Sequence, residues 1–309
     1  MEMQVYGMKE FDKKFINEVS TATGILEAFI EKDYYVTELI RIIGEFQSEN
    51  FNVVFTGGTS LSKGFKIINR FSEDIDFMVF AKGEDSRSVY RTFRKVLFDR
   101  IDATGVLNVS KDEMIVGNES RFFSFYVDYP KLFDEKSLRQ QVKVEVSARS
   151  IRLAPENKRI DSRIDEYLGI KNGFQIDCLS PLETAANKFS AFLWRADCKD
   201  RSSTEKKLND PTIVRHLYDL YKLQTFISAN EAEFYKLILQ IYEDDKKRGD
   251  SANTRTLKEF AESTCARINA DAVYEKEYTD FVNNMVYKTS DLIPYSVVFD
   301  CFSSLVNKI

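Results

Sequence analysis

The pattern of apolar and polar positions is sharpest over residues 51–80, FNVVFTGGTSLSKGFKIINRFSEDIDFMVF. Residues 52–56 form a short β-rich run that stops at Gly57-Gly58. Leu61, Phe65 and Ile68 follow at spacings of four and three, which predicts a helix. The chain then alternates. Ile75, Phe77 and Val79 share one face of a strand, and Asp74 and Asp76 share the other. Upstream, residues 9–20 and 24–46 read as helices, the second with a stripe of Leu26, Phe29, Val36, Ile40 and Ile43. Asp33 falls on that stripe, so it needs partners: a structural hydrogen bond or ion pair, or a place near the active site. Downstream, Val89, Phe93 and Leu97 predict a helix over residues 86–97. Residues 106–109, 122–128 and 141–148 read as strands. In the last, Val142, Val144 and Val146 alternate with Lys143, Glu145 and Ser147.

A polar stretch over residues 155–163 reads as a linker, and helical periodicity dominates from Ser180 onward. Ser180-Pro181-Leu182-Glu183 has the residues of a capping box, with Leu182, Ala185, Ala186, Phe189 and Leu193 on the apolar face behind it. Thr184, Lys188 and Arg195 line its edge, where Lys188 reads as a solvated flank until some partner is identified. Asp210-Pro211 opens another helix, with Val214, Leu217, Leu220 and Tyr221 facing inward. There Asp219 has Arg215 as an i,i+4 partner, a pair stabilising by only a few tenths of a kcal/mol. Residues 230–244, 253–270, 274–287 and 291–307 read as further helices, with a charged turn at 243–250.

Composition narrows the class. The chain has 309 residues, 43 % apolar and 30 % charged, enough for one large or two ordinary domains. No apolar run approaches the ~20 residues of a membrane span, and the N-terminus lacks a signal-peptide core, so a cytoplasmic protein without membrane partners is expected. Four scattered cysteines read as reduced thiols, and the single histidine, His216, disfavours a histidine-based mechanism. A net charge of -5 excludes a general nucleic-acid coat. Any RNA contact must be local. Lys63, Lys66 and Arg70 would share one side of the helix after the glycines, and Lys199, Arg201, Lys206 and Lys207 would form a second cluster.

The chemistry follows from the central stretch. Asp74 and Asp76 lie about 7 Å apart on one strand face, and carboxylates so placed repel unless a cation sits between them. Hard oxygen ligands suit Mg²⁺, which takes its remaining ligands from water and substrate phosphates. Glycines let backbone N–H groups approach an anion closely, and Thr59 and Ser60 add hydroxyls. Either half alone reads equally as an ordinary turn or a solvated strand end. Together, in this order, they resemble the DNA polymerase β superfamily of nucleotidyltransferases.

The match narrows to the AbiEii/AbiGii-type nucleotidyltransferase toxins, which include the MenT-type tRNA-modifying toxins. It is carried by Ile30-Glu31-Lys32-Asp33-Tyr34, Gly57-Gly58-Thr59-Ser60-Leu61-Ser62-Lys63, Ser72-Glu73-Asp74-Ile75-Asp76-Phe77, Val144-Glu145-Val146, Lys188 and Arg215-His216-Leu217-Tyr218-Asp219-Leu220. The family pattern often reads Arg-Asp-x-x-Asp where this chain has Arg215-His216-x-x-Asp219. The resemblance implies an α/β (α+β) fold, with a polymerase β-like mixed sheet in a nucleotidyltransferase lobe over residues 1–160. A helical C-terminal lobe over residues 161–309 would complete the active site. It implies transfer of NMP from an NTP, with Mg²⁺ on Asp74, Asp76 and Glu145, the last alternatively helping to deprotonate the acceptor hydroxyl, and phosphates on Gly57, Gly58, Thr59, Ser60 and Lys63. Lys188 would offset charge and Asp219 would orient it or the base. The implied partners are the NTP, a tRNA or other RNA acceptor, and a cognate antitoxin. The competing expectations are a nucleotide-binding interaction protein without transfer, and transfer to a protein or small molecule.

Overall fold

Alternation along residues 51–81 places the central pair of strands in one mixed sheet. The computed structural model describes residues 11–48, 50–72, 74–136, 138–205, 208–249 and 254–309, so residues 1–10, Glu73, Lys206 and Lys207 lie outside the description. The chain divides into two units. The first runs to Lys66 and resumes from Phe71 to Leu179; the second takes Ile67–Arg70 and Ser180–Ile309. The division expected after residue 160 falls instead between Leu179 and Ser180, because the strands on either side of residue 160 both belong to the sheet.

The first unit contains α1 (Lys13–Thr23), α2 (Glu27–Gly44), β1 (Phe51–Thr56), α3 (Gly57–Lys63), β2 (Asp74–Ala81), α4 (Arg87–Asp102), β3 (Asn108–Gly117), β4 (Phe122–Asp128), β5 (Val142–Ser147), β6 (Glu156–Ile160), α5 (Arg163–Leu168) and β7 (Phe174–Cys178). Among the described residues, seven strands form one sheet in the order β3-β4-β5-β2-β1-β7-β6. β2 runs parallel to β5 and β1 parallel to β7, while the other neighbours are antiparallel. One face is apolar. Phe55, Phe77, Val79, Val144 and Val146 join Leu39, Ile40 and Ile43 of α2 and Phe93 and Leu97 of α4 in the main core. The alternate positions, Asp74, Asp76, Lys143 and Glu145, are half-buried on the other face. The polar stretch expected to be a linker contains β6, an edge strand whose exposed positions need no apolar residues.

α3 is shorter than its apolar spacing predicts. It ends at Lys63, and Lys66 takes a positive φ of 56°. Ile68 is therefore buried beyond a turn, and the expected basic helix face does not form. Lys66 pairs with Glu166 at 2.8 Å. The Lys63 ammonium donates to Asp33 Oδ1 at 2.6 Å and to the Asp161 carbonyl at 3.2 Å. Asp33 Oδ2 accepts from the Arg163 N–H at 2.7 Å. Asp33 thus ties α2 to α3 and to the start of α5, the structural role its place on a buried stripe requires.

The second unit contains α6 (Pro181–Asp197), α7 (Arg215–Lys222), α8 (Gln224–Ala229), α9 (Glu231–Gly249), α10 (Leu257–Ala270), α11 (Val273–Met285) and α12 (Tyr295–Val306). Ser180 stands at the N-cap of α6 without a side-chain cap bond, so Pro181, not a capping box, sets that start. Asp210 does cap, accepting from the Thr212 N–H at 2.8 Å before the short helical turn Pro211–Val214. The charged turn expected after residue 243 is helical and extends α9. Lys199 and Arg201 do not offer a free basic patch: Lys199 pairs with Glu277 at 2.8 Å, and Arg201 pairs with Glu277 and Asp271. The four cysteines are unpaired, and among the described residues no helix is long and apolar enough to cross a membrane.

Removing one partner of a buried ion pair strands the other charge. Asp33→Ala is expected to destabilise the chain by about 3 kcal/mol, read as a lower urea midpoint, and Lys63→Met in that background should recover part of the loss. A midpoint within error of wild type for Asp33→Ala would remove this clamp from the account.

Candidate active site

β1 passes into α3 without an intervening loop. Thr56 is extended, and Gly57, the next residue, has a φ of 79°. A side chain is strained at that φ and has no room, since a Cβ on Gly57 would lie 2.0 Å from Asp76 Oδ2 and 2.9 Å from its Cγ. Strand pairing causes this approach. Thr56 lies opposite Asp76, and Phe55 opposite Phe77, so β2 brings its second aspartate beside the turn that ends β1. The two halves of the sequence motif are therefore one contact. Thr59 reinforces it, its hydroxyl donating to the Asp74 carbonyl. Ser60 is buried in the first turn of α3.

The third carboxylate arrives through β5. In the parallel β2–β5 pair, Asp76 lies opposite Glu145 and Asp74 opposite Lys143. Alternation then sets all three carboxylates on the same face, on strands about 4.8 Å apart. Protein cations accompany them. Arg139 donates to Asp74 Oδ1 at 2.9 Å, and the Lys143 ammonium donates to Glu145 Oε1. Burial works against the Lys143 charge, but Glu145 and Asp74 outweigh it and raise its pKa. With Asp74 and Glu145 turned to these cations, no cluster of three metal-ligating side chains is closed among the described residues. The donor set nevertheless fits Mg²⁺. It is all carboxylate oxygen, drawn from two adjacent strands, beside a backbone corner kept open by glycine.

The second unit holds a buried charge cluster. Asp219, 0 % exposed, accepts from Arg70 Nε at 2.7 Å, from Arg70 Nη2 at 2.6 Å, and pairs with Lys188 Nζ at 2.6 Å. Lys188 and Asp219, linked in the sequence only by resemblance, are thus direct partners. The expected Arg215–Asp219 pair is replaced by Arg70, a residue that sequence reasoning placed with Lys63 and Lys66 on a basic helix face. Its signal was its setting: a lone arginine among Ile67, Ile68 and Phe71. Burial raises the Asp219 pKa, but Arg70 and Lys188 outweigh it and hold the carboxyl well below the usual carboxylate range. Burial also lowers Lys188, with Arg70 adding to the effect and Asp219 opposing it.

His216 lies next to this cluster, 7 % exposed, with neither ring nitrogen hydrogen-bonded to any described residue. Burial pushes its pKa well below 6.5, and Lys188, Arg195 and Arg215 push the same way against Asp219. The unfolded imidazole takes a proton near pH 6.5 and the folded one does not, so the unfolded state binds more protons below that value. Stability is fully present above pH ~6.5 and should fall as pH drops below it, with a slope of up to about 1.4 kcal/mol per pH unit from this residue. Urea midpoints between pH 7.5 and 5 should show the slope, and His216→Gln should flatten it. An equal slope in the variant would assign the pH dependence to other groups.

Residues 41–302 match the family described as Nucleotidyl transferase AbiEii toxin, Type IV TA system. Curated proteins give no match to the chain. Among solved structures, MenT4, a nucleotidyltransferase toxin from Mycobacterium tuberculosis H37Rv, is 18 % identical with a TM-score of 0.51. That alignment covers 94 % of this chain and 98 % of the other, and it shows a shared fold. A structure from H. pylori, provisionally assigned as a nucleotidyltransferase, is 17 % identical with a TM-score of 0.44, covering 92 % and 97 % of the two chains. The family match spans most of the chain, including the glycine turn, all three strand carboxylates and the Lys188–Asp219 pair: the chain belongs to the AbiEii nucleotidyltransferase toxin family and is a nucleotidyltransferase.

Proposed function

We propose that the chain transfers NMP from an NTP to a hydroxyl of RNA, with tRNA the favoured acceptor, and that it uses Mg²⁺. The observation that carries this reading is the contact of the Gly57 backbone with the Asp76 carboxylate, beside Glu145 on the next strand. A turn open to an anion beside a carboxylate face suited to a cation supports this reading. Asp74, Asp76 and Glu145 would hold the metal, which when bound neutralises phosphate charge and aligns the displacement.

The chain's own groups divide the remaining work. Gly57 and Gly58 let backbone N–H groups approach the β- and γ-phosphates, with Ser60 as a further donor. Thr59 acts from behind, through its bond to the Asp74 carbonyl, and Lys63 keeps α3 in place through Asp33. The acceptor oxygen forms a bond to the α-phosphorus as the bond to the β-phosphate oxygen breaks. The hydroxyl proton passes to water, and pyrophosphate leaves. Lys188 offsets phosphate charge, and Asp219 keeps its ammonium oriented. The toxin–antitoxin assignment of the family supports a cognate antitoxin as biological partner.

The test is incubation with each α-labelled NTP, Mg²⁺ and total cell RNA. Label is expected in RNA, concentrated in tRNA. Asp74→Asn and Asp76→Asn should lower transfer by roughly 10²–10³-fold or more while circular dichroism stays that of wild type. Glu145→Gln should be comparably severe. Label appearing in protein or in a small molecule would overturn the RNA acceptor, and wild-type transfer by either aspartate variant would overturn the carboxylate assignment.

A further inference from the structure

We propose that Arg139 is an exchangeable counter-cation, paired with Asp74 and passed to a nucleotide phosphate when a metal ion takes that carboxylate, and that Lys32 of α2 positions it. The proposal rests on the reading of Asp74 as a metal ligand, and its evidence is the segment that joins β4 to β5.

That segment, residues 129–141, contains no helix or strand among its described residues. Two buried charges of α2 fix its backbone. The Glu31 carboxylate accepts from the Leu132 N–H at 2.7 Å and from the Phe133 N–H at 3.3 Å. The Lys32 ammonium donates to the Arg139 carbonyl at 2.7 Å, and Lys32 is 3 % exposed. A buried ammonium is costly unless its hydrogen bonds are made, so Lys32 ties its own burial to the place of residue 139. Leu138, the preceding residue, is buried in the main core and holds the same point from the apolar side.

The Arg139 side chain is in a different situation, 39 % exposed. Its guanidinium donates to Asp74 Oδ1 at 2.9 Å and lies 5.5 Å from the centre of the Tyr126 ring. Tyr126, Lys143 and Asp74 lie opposite one another on β4, β5 and β2, so these contacts lay the guanidinium on the carboxylate face. A partly exposed ion pair stabilises by only about 0.2–1 kcal/mol, which is too little to exclude a divalent ion shared by several carboxylates. Once such an ion takes Asp74, the guanidinium faces a like charge. Its planar fork suits a phosphate as well as a carboxylate, and the phosphates are what a metal-bound nucleotide brings to this face. Arg139 can thus change anions while its backbone stays fixed. The consequence is a difference in sign. Arg139 opposes a metal ion that arrives alone and favours one that arrives with a nucleotide.

Calorimetric titration of the full-length protein with Mn²⁺, a divalent ion suited to carboxylate oxygens, reads the first half of the exchange. Without nucleotide, Arg139→Gln is expected to bind Mn²⁺ roughly threefold to fivefold more tightly, the competition a partly exposed ion pair offers, and Asp74→Asn to bind it more weakly. In saturating Mn²⁺, Arg139→Gln should bind a non-hydrolysable NTP roughly tenfold more weakly, the loss of one charge-assisted contact. Lys32→Met, or Lys32→Gln where the first fails to fold, should shift both affinities in the same directions by less. It should shift neither in the Arg139→Gln background, because Lys32 acts through Arg139. A Mn²⁺ affinity unchanged or lowered in Arg139→Gln would overturn the exchange, as would an unchanged NTP affinity. Equal effects of the Lys32 substitution in both backgrounds would overturn its positioning role. Mn²⁺ binding that depends on Asp74 and not on Arg139 refutes the exchange alone, whereas binding indifferent to Asp74→Asn overturns the carboxylate assignment with it. A chain that shows both shifts yet labels no RNA refutes the RNA reading and leaves the exchange standing.

Discussion

Gly57 and Asp76 meet where the end of β1 faces β2, and the room between them is smaller than a methyl group. Residue 57 must therefore lack a Cβ, and the carboxylate of residue 76 must lie along the backbone of the turn. Both demands follow from strand register, because antiparallel pairing sets Thr56 opposite Asp76 and leaves the next residue to turn away. A slip of one residue would move Asp76 to the apolar face and bring Phe77 to the turn. The apolar set Ile75, Phe77 and Val79 holds that register by being buried against α2 and α4. The hydrophobic core thus fixes the chemistry on the other face of the sheet.

Charge is handled differently in the two units. In the first, three carboxylates on one sheet face are accompanied by Arg139 and Lys143, which touch them from the side. Those ion pairs are partly exposed, so a stronger cation can compete for the same oxygens at modest cost. In the second, Asp219 is wholly buried and shared between Arg70 and Lys188, a geometry that holds only because two cations repay the desolvation of one anion. The first arrangement suits exchange with a ligand, and the second keeps a lysine in a defined place.

What could be read from the chain depended on whether a signal was local. β1, β2 and β5 were legible because alternation is a property of consecutive residues, and the valines flanking Glu145 marked the face on which it lies. α3 was read too long because Leu61, Phe65 and Ile68 have helical spacing, yet Ile68 is buried after Lys66 turns the backbone left-handed. β6 was missed because an exposed edge strand, ENKRI, carries no apolar alternation. The partner of Asp219 was out of reach. Arg70 lies 149 residues away, and the i,i+4 neighbour Arg215 offered a plausible local substitute. The basic patch around residue 200 failed for the same reason, since Glu277 and Asp271 approach only in the fold.

The dependence of the turn on Asp76 is directly measurable as a coupling of stabilities. Gly57→Ala introduces a Cβ that collides with the Asp76 carboxylate, and Asp76→Ala removes the obstacle while leaving the φ of 79° unchanged. Urea denaturation of the two single variants and the double variant should show Gly57→Ala costing less in the Asp76→Ala background, by about 1 kcal/mol or more. An equal cost in both backgrounds would mean that the glycine serves only the backbone conformation, and would contradict the claim that the glycine turn and the carboxylate face are one unit.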